Sequence, residues 1–162
     1  MEKLRTKTIG WRIHAIFFLL LCMGCPSLQA QDPSLVYPVP ISEIYFPDET
    51  FRTWVQEQDK DDDGNLSLAE CRIVTSCNIA SKGIRSIEGI EYFYALEDLD
   101  CSNNEIEKID ISKNIDLVCV DVSDNQLKSL SVFQNEKLEV LDCSNNQLKS
   151  LSVFQNEKLE VL

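Results

Sequence analysis

Twelve residues, DKDDDGNLSLAE from Asp59 to Glu70, hold the densest chemistry in this chain. Carboxylates stand at the first, third, fifth and twelfth places (Asp59, Asp61, Asp63 and Glu70), with Gly64 at the sixth and Asn65 and Ser67 at the seventh and ninth. Carboxylates gathered by a tight turn repel one another unless a cation offsets them. The bland alternative is an acidic surface turn that holds no metal.

The N-terminus bounds the remaining chemistry. Lys3, Arg5, Lys7 and Arg12 precede AIFFLLLCM, Ala15 to Met23, an apolar run with no acid and too short to cross a bilayer as a helix. This is the layout of a secretory signal peptide, so residues 1–30 are expected to be removed after Ala30. In the alternative, Cys22 to Cys25 resembles a lipoprotein box that would leave a lipid anchor on Cys25. It departs from that pattern at Cys22, where a small residue is usual, and at Leu21, one place too early. Cleavage at Ala30 leaves 11 basic and 26 acidic residues, a net charge of −15, which disfavours nucleic acid and anionic lipid. It also removes His14, the only histidine, and with it any Ser-His, Cys-His or histidine-metal site. The chain is therefore expected not to be an enzyme.

The twelve-residue loop resembles the EF-hand calcium loop at every ligand position. The resemblance implies Ca2+ held by Asp59, Asp61 and Asp63, by the backbone carbonyl of Asn65, by Ser67 directly or through water, and by both oxygens of Glu70. Gly64 would make the tight turn and Leu66 would point to the core. The flanks agree: PDETFRTWVQEQ opens with proline and acids and places Phe51, Trp54 and Val55 on one face. EF-hands generally pair, and only one loop is present. The exposed face of this hand needs another surface, expected to be the open end of the core downstream.

That core is announced by a period. Leu99, Val120, Leu141 and Leu162 are spaced 21 residues apart, in blocks LEDLDCSNNEI, LVCVDVSDNQL and LEVLDCSNNQL. Residues 125–141 recur letter for letter at 146–162. The pattern L-x-x-L-x-C/V-x-x-N-x-L resembles the leucine-rich repeat, in the LDCSNNQL form of secreted bacterial members. The expected fold is an α/β leucine-rich-repeat solenoid with short parallel strands and an irregular convex side, behind a small helical EF-hand-like cap. The expected segments are a signal peptide (1–30), a Pro-rich linker (31–46), the calcium-binding segment (47–73) and about four coils (74–162), the array apparently truncated at its C-terminus. Alternation sends Leu99, Cys101, Val120, Val122, Leu141 and Cys143 inward. Asn104, Asn125 and Asn146 should satisfy one corner, and Asn114, Asn135 and Asn156 a second one on the convex side.

Five cysteines follow residue 30, an odd number for an exported chain. Cys101 and Cys143 lie two coils apart, roughly 10 Å, too far to bridge, and are expected as buried thiols. A Cys71–Cys77 disulfide stays open. Cys119 is expected to be exposed on the concave face beside Asp98, Asp100, Asp121, Asp124 and Asp142, which together form the candidate partner-binding set. The resemblance implies a protein ligand on that face. Asp100, Asp121 and Asp142 form a like-charged ladder that reads either as a site for a basic or cation-bridged partner or as a solvated surface kept soluble by its acids. The alternative is a non-catalytic accessory region of a larger secreted or surface enzyme or adhesin.

Overall fold

The computed structural model describes residues 36–160. The expected leader, Cys25 and the first part of the expected linker lie outside them. Four three-residue strands form one parallel sheet in sequence order: β3 (Ser76–Asn78), β4 (Asp98–Asp100), β5 (Cys119–Asp121) and β6 (Val140–Asp142). A second, two-stranded antiparallel sheet pairs β1 (Val39–Pro40) with β2 (Asn65–Leu66). Helices α1 (Glu49–Gln56) and α2 (Leu68–Ile73) flank the acidic loop. None of the helices among the described residues is long and apolar enough to cross a membrane.

The strand register follows the period. Cys77, Leu99, Val120 and Leu141 face one another across successive strands and are all buried. Two residues later, the column Ile79, Cys101 and Val122 is fully buried, while Cys143, expected to be buried, is half-buried.

Both asparagine corners behave as expected. Asn104 donates through Nδ2 to the carbonyls of Ile79, Cys101 and Ser102, and its Oδ1 accepts from the N–H groups of Lys82 and Ile84. Lys82 occupies the same corner in the first coil, where its backbone, not its side chain, takes part. On the convex side Asn114, Asn135 and Asn156 are buried, and each donates to two carbonyls of the preceding coil. Each bond between coils satisfies a backbone group that would cost about 1–3 kcal/mol if buried alone.

One further feature of the repeat is conformational. Ser81, Asn103, Asp124 and Asn145, each just before the corner position, have φ between 51° and 58°. Asn and Asp tolerate this left-handed region better than other residues with a Cβ. The S-N-N and S-D-N triplets therefore have a backbone cause.

The N-terminal part corrects the expected linker. From Val36 onward the segment is folded: Val39 and Phe46 are buried, and Val39–Pro40 adds a strand to the acidic loop. Proline suits a two-residue edge strand that has one free side. Phe46 stacks edge-on against Phe51 at 6.2 Å and tilts against Tyr92 at 5.9 Å. The Phe46 ring also sits over Gly89, where an added Cβ would come within 2.5 Å of it.

Candidate metal loop and concave face

α1 starts where the sequence places it. Asp48 caps it, accepting from the N–H groups of Thr50 (2.9 Å) and Phe51 (3.0 Å), and its second oxygen accepts from the Arg85 N–H of the first coil at 2.8 Å. One side chain thus ties the helix start to the solenoid. The helix buries Phe51, Trp54 and Val55, and Trp54 meets Phe93 of the first coil edge-on at 5.1 Å. The apolar face of α1 is covered by that coil.

Between the helices the chain turns sharply. Asp62 and Gly64 both have positive φ, 56° and 78°. Asp59 accepts from the N–H groups of Asp63 (3.3 Å) and Gly64 (2.8 Å), which pins the first acid across the turn. Ligand oxygens of Asp59, Asp61 and Asp63 lie within 4.8 Å of one another. A calcium–oxygen distance is about 2.4 Å, so one ion fits between oxygens at that separation. Asp61 is held above the usual carboxylate range, first by desolvation and then by the charges of Asp63 and Glu70. A cation there would relieve that repulsion.

The carboxylates of Asp59, Asp61 and Asp63 converge, while the side chains of Ser67 and Glu70 engage each other, and Asn65 uses its N–H and amide, not the carbonyl expected as ligand, on Asp63. Asn65 folds onto Asp63, donating from its N–H (2.8 Å) and its side-chain amide (3.2 Å) to Oδ1. Ser67 caps α2 in a capping box with Glu70. Glu70 is buried: Oε1 accepts from the Lys60 N–H at 2.6 Å, and Oε2 accepts from the Ser67 N–H (2.8 Å) and hydroxyl (2.7 Å). Burial pushes the Glu70 carboxyl up, but these bonds outweigh it and hold it below its ordinary value. The twelfth position thus closes the loop back onto its second, Lys60. All the available donors are hard oxygens, so the residues fit a calcium ion. Leu66 is fully buried, as expected.

The concave face carries the other set. Asp98, Asp124 and Asp142 are exposed, and Asp100, Cys119 and Asp121 are half-exposed. Register aligns Asp100, Asp121 and Asp142 in one row and Asp98, Cys119 and Val140 in the next. Each carboxylate in the first row is held by the serine two residues on. Asp121 Oδ1 accepts from the Ser123 N–H (2.9 Å) and hydroxyl (2.6 Å), Asp100 does the same with Ser102, and Asp142 accepts from the Ser144 N–H. The Ser144 side chain first, and then its N–H, hold the Asp142 carboxyl below its ordinary value. Asp124 stands apart from the row, at the positive-φ corner that itself favours aspartate.

The cysteines take no part in bridges. Cys71, Cys77, Cys101, Cys119 and Cys143 are all free thiols. Burial pushes Cys71 and Cys101 up to about 12, so both behave as small apolar residues. Cys119 is also raised, by desolvation and then by its neighbour Asp98, which opposes thiolate formation. A cleft of about 630 Å³ opens on the flank, not over the aspartate row, and mixes Arg85 and Lys108 with Glu88, Glu91, Glu107 and Asp110.

Sequence reasoning missed Tyr37 and Val39 to Ile41, which hold the loop from outside. Their signal was available: Tyr37, Val39 and Ile41 alternate with Pro38 and Pro40, the pattern of an edge strand.

Stacked parallel strands with asparagine corners define a leucine-rich-repeat solenoid, and residues 137–156 match the Leucine Rich Repeat family. Among solved structures, the functional domain of InlJ from Listeria monocytogenes, which includes a cysteine ladder, superposes with a TM-score of 0.70 at 30% identity, over 76% of this chain and 28% of that one. An internalin, inlF, from Listeria monocytogenes strain 4b F2365 gives 0.65 at 20% identity, over 77% and 45%. Internalin C2 (inlC2) of the same strain gives 0.56 at 19% identity, over 81% and 70%. This chain spans less than a third of the first and less than half of the second. No curated protein matched the chain.

Proposed function

We propose that this chain is an exported bacterial interaction module that binds a basic protein partner on its concave face and carries a structural calcium ion at its N-terminal end. The observation that carries the reading is the row Asp100, Asp121 and Asp142. These like charges stand in register on an open strand face, each fixed by a serine. Like charges directly opposite one another destabilise a sheet, and asparagine could accept the same serine bonds without a charge, so the negative charge of the row has no packing reason to exist. A ligand bearing lysine or arginine offsets the repulsion, and carboxylates already held in place lose little freedom on binding. The fold likeness to the internalins and the leader-like N-terminus support export. The chain performs no catalysis in this reading: no histidine follows residue 14, and the aspartate row lies open.

Calcium belongs to the same reading. Asp59, Asp61 and Asp63 would hold the ion, with Asn65 through its carbonyl, Ser67, and Glu70 turned from its capping box. The ion supplies positive charge that ties the loop together.

The test is a display selection of random peptides on the full chain and on the triple variant Asp100→Asn/Asp121→Asn/Asp142→Asn. Lysine- and arginine-rich peptides should bind the first and lose at least tenfold in affinity on the second. Binders indifferent to the triple change would remove the concave face from the function. The second reading is a non-catalytic accessory region of a larger secreted or surface enzyme or adhesin, and peptides that ignore the triple change would favour it.

A further inference from the structure

The single hand has a partner strand from an unexpected source. Val39–Pro40 pairs antiparallel with Asn65–Leu66, the short strand at the seventh and eighth places of the acidic loop. The Ile41 N–H donates to the carbonyl of Gly64 at 3.0 Å, at the sixth place of the loop. This segment therefore holds the backbone of the loop at the turn between Asp63 and Ser67. Its other end reaches the solenoid: the Tyr37 hydroxyl donates to the Tyr92 carbonyl at 2.7 Å, and the two rings meet edge-on at 6.1 Å. The same phenol touches Cys71, the residue after Glu70, and burial raises its pKa above the ordinary value. Tyr92 ends the 3-10 turn Ile90–Tyr92 of the first coil and contacts Phe46 as well.

We propose that residues 37–41 serve as the second half of the hand, positioning the calcium loop through the β1–β2 pairing and linking its occupancy to the first coil through the Tyr37–Tyr92 hydrogen bond. This rests on the calcium reading above. The linkage is reciprocal: whatever favours the docked segment tightens calcium, and calcium favours docking by the same factor. Tyr37 takes no part as a ligand, so it acts as a positioning residue. A loop without this segment would leave Leu66 uncovered and the Gly64 carbonyl free to move, and part of the binding energy would go into ordering them.

Two measurements on the full chain decide the matter: calorimetric titration with calcium chloride, and amide hydrogen exchange at Ile41, Phe93 and Leu96 with and without the ion. Calcium should slow exchange at all three amides in the unaltered chain. Ile41→Pro, which removes the donor to Gly64, should weaken calcium about tenfold, the value of one lost hydrogen bond. Tyr37→Phe keeps the ring and removes only the bond to Tyr92. It should weaken calcium several-fold despite offering no ligand, and should leave the strand amides of Cys77 and Leu99 protected, which shows that the solenoid is folded. Wild-type affinity in both folded variants, or calcium-dependent protection confined to residues 59–70, would overturn the proposal while leaving the calcium site intact. No binding heat in the unaltered chain would instead sink the calcium reading on which the proposal rests.

Discussion

Asn125 and Glu70 illustrate how far one buried polar side chain can reach. Asn125 donates to the carbonyls of Cys101, Val122 and Ser123 and accepts from the Ile106 N–H, so one residue joins two coils. Glu70 does similar work in the acidic loop, with the added consequence of charge. Its folded pKa is depressed, because hydrogen bonds from Ser67, Lys60 and Asp61 outweigh the burial that pushes it up. The resulting stability is present above the unfolded carboxylate value near 4.3 and is lost as pH falls through the folded value. Asp61 runs the other way: with its pKa raised, its contribution is present at low pH and fades as pH rises. Melting in calcium-free buffer between about pH 6 and pH 3 should therefore show an acid limb that Glu70→Gln flattens. An unchanged slope would assign the limb to other carboxylates.

At the scale of elements, the junction between the segment carrying α1 and the solenoid turns on Gly89. Its φ is 100°, and a Cβ there would lie 2.3 Å from Phe46 Cδ1 and 2.7 Å from the Tyr45 carbonyl. The ring could swing away only by leaving Phe51 and Tyr92, and the carbonyl cannot yield without moving the backbone. Gly89→Ala combines strained backbone with overpacking and should cost about 2–4 kcal/mol, read as a drop in denaturant midpoint. Exchange at Trp54 and Phe93 should rise first, because these residues lie on either side of the junction. A change below about 0.5 kcal/mol would mean that the segment carrying Phe46 rearranges freely.

Across the whole molecule the acids divide by face. The strand row carries Asp100, Asp121 and Asp142, while Lys128 and Lys137 pair on the flanks with Glu107 and Asp116. Those exposed pairs contribute little to stability, but they keep positive charge off the concave side. If the row exists for a ligand, it should cost stability when empty. Asp121→Asn keeps the acceptor for Ser123 and removes the middle charge, so it should raise the melting temperature at low salt. The corresponding gain of about 0.2–1 kcal/mol should shrink as salt screens the row. A destabilised variant would show that the carboxylate has a structural role of its own.

The 21-residue period, the inward columns and both asparagine corners were legible from the sequence, because a coil touches only its neighbours and every repeat restates the same local contacts. In the acidic loop the sharp turn and the gathering of Asp59, Asp61 and Asp63 were legible, whereas the capping box that engages Ser67 and Glu70 was not. What stayed hidden were relations between distant residues. Tyr37 to Ile41 looked like a linker because four prolines dominate 31–47 and its hydrogen-bond partners, Gly64, Leu66 and Tyr92, lie 23 to 55 residues away. Asp124 looked like a ligand-facing acid, and only the backbone showed that its φ of 51° favours aspartate on its own account. Repetition writes short-range structure directly into the letters, whereas the closure of a chain end depends on which distant surfaces meet, and that was decided in three dimensions.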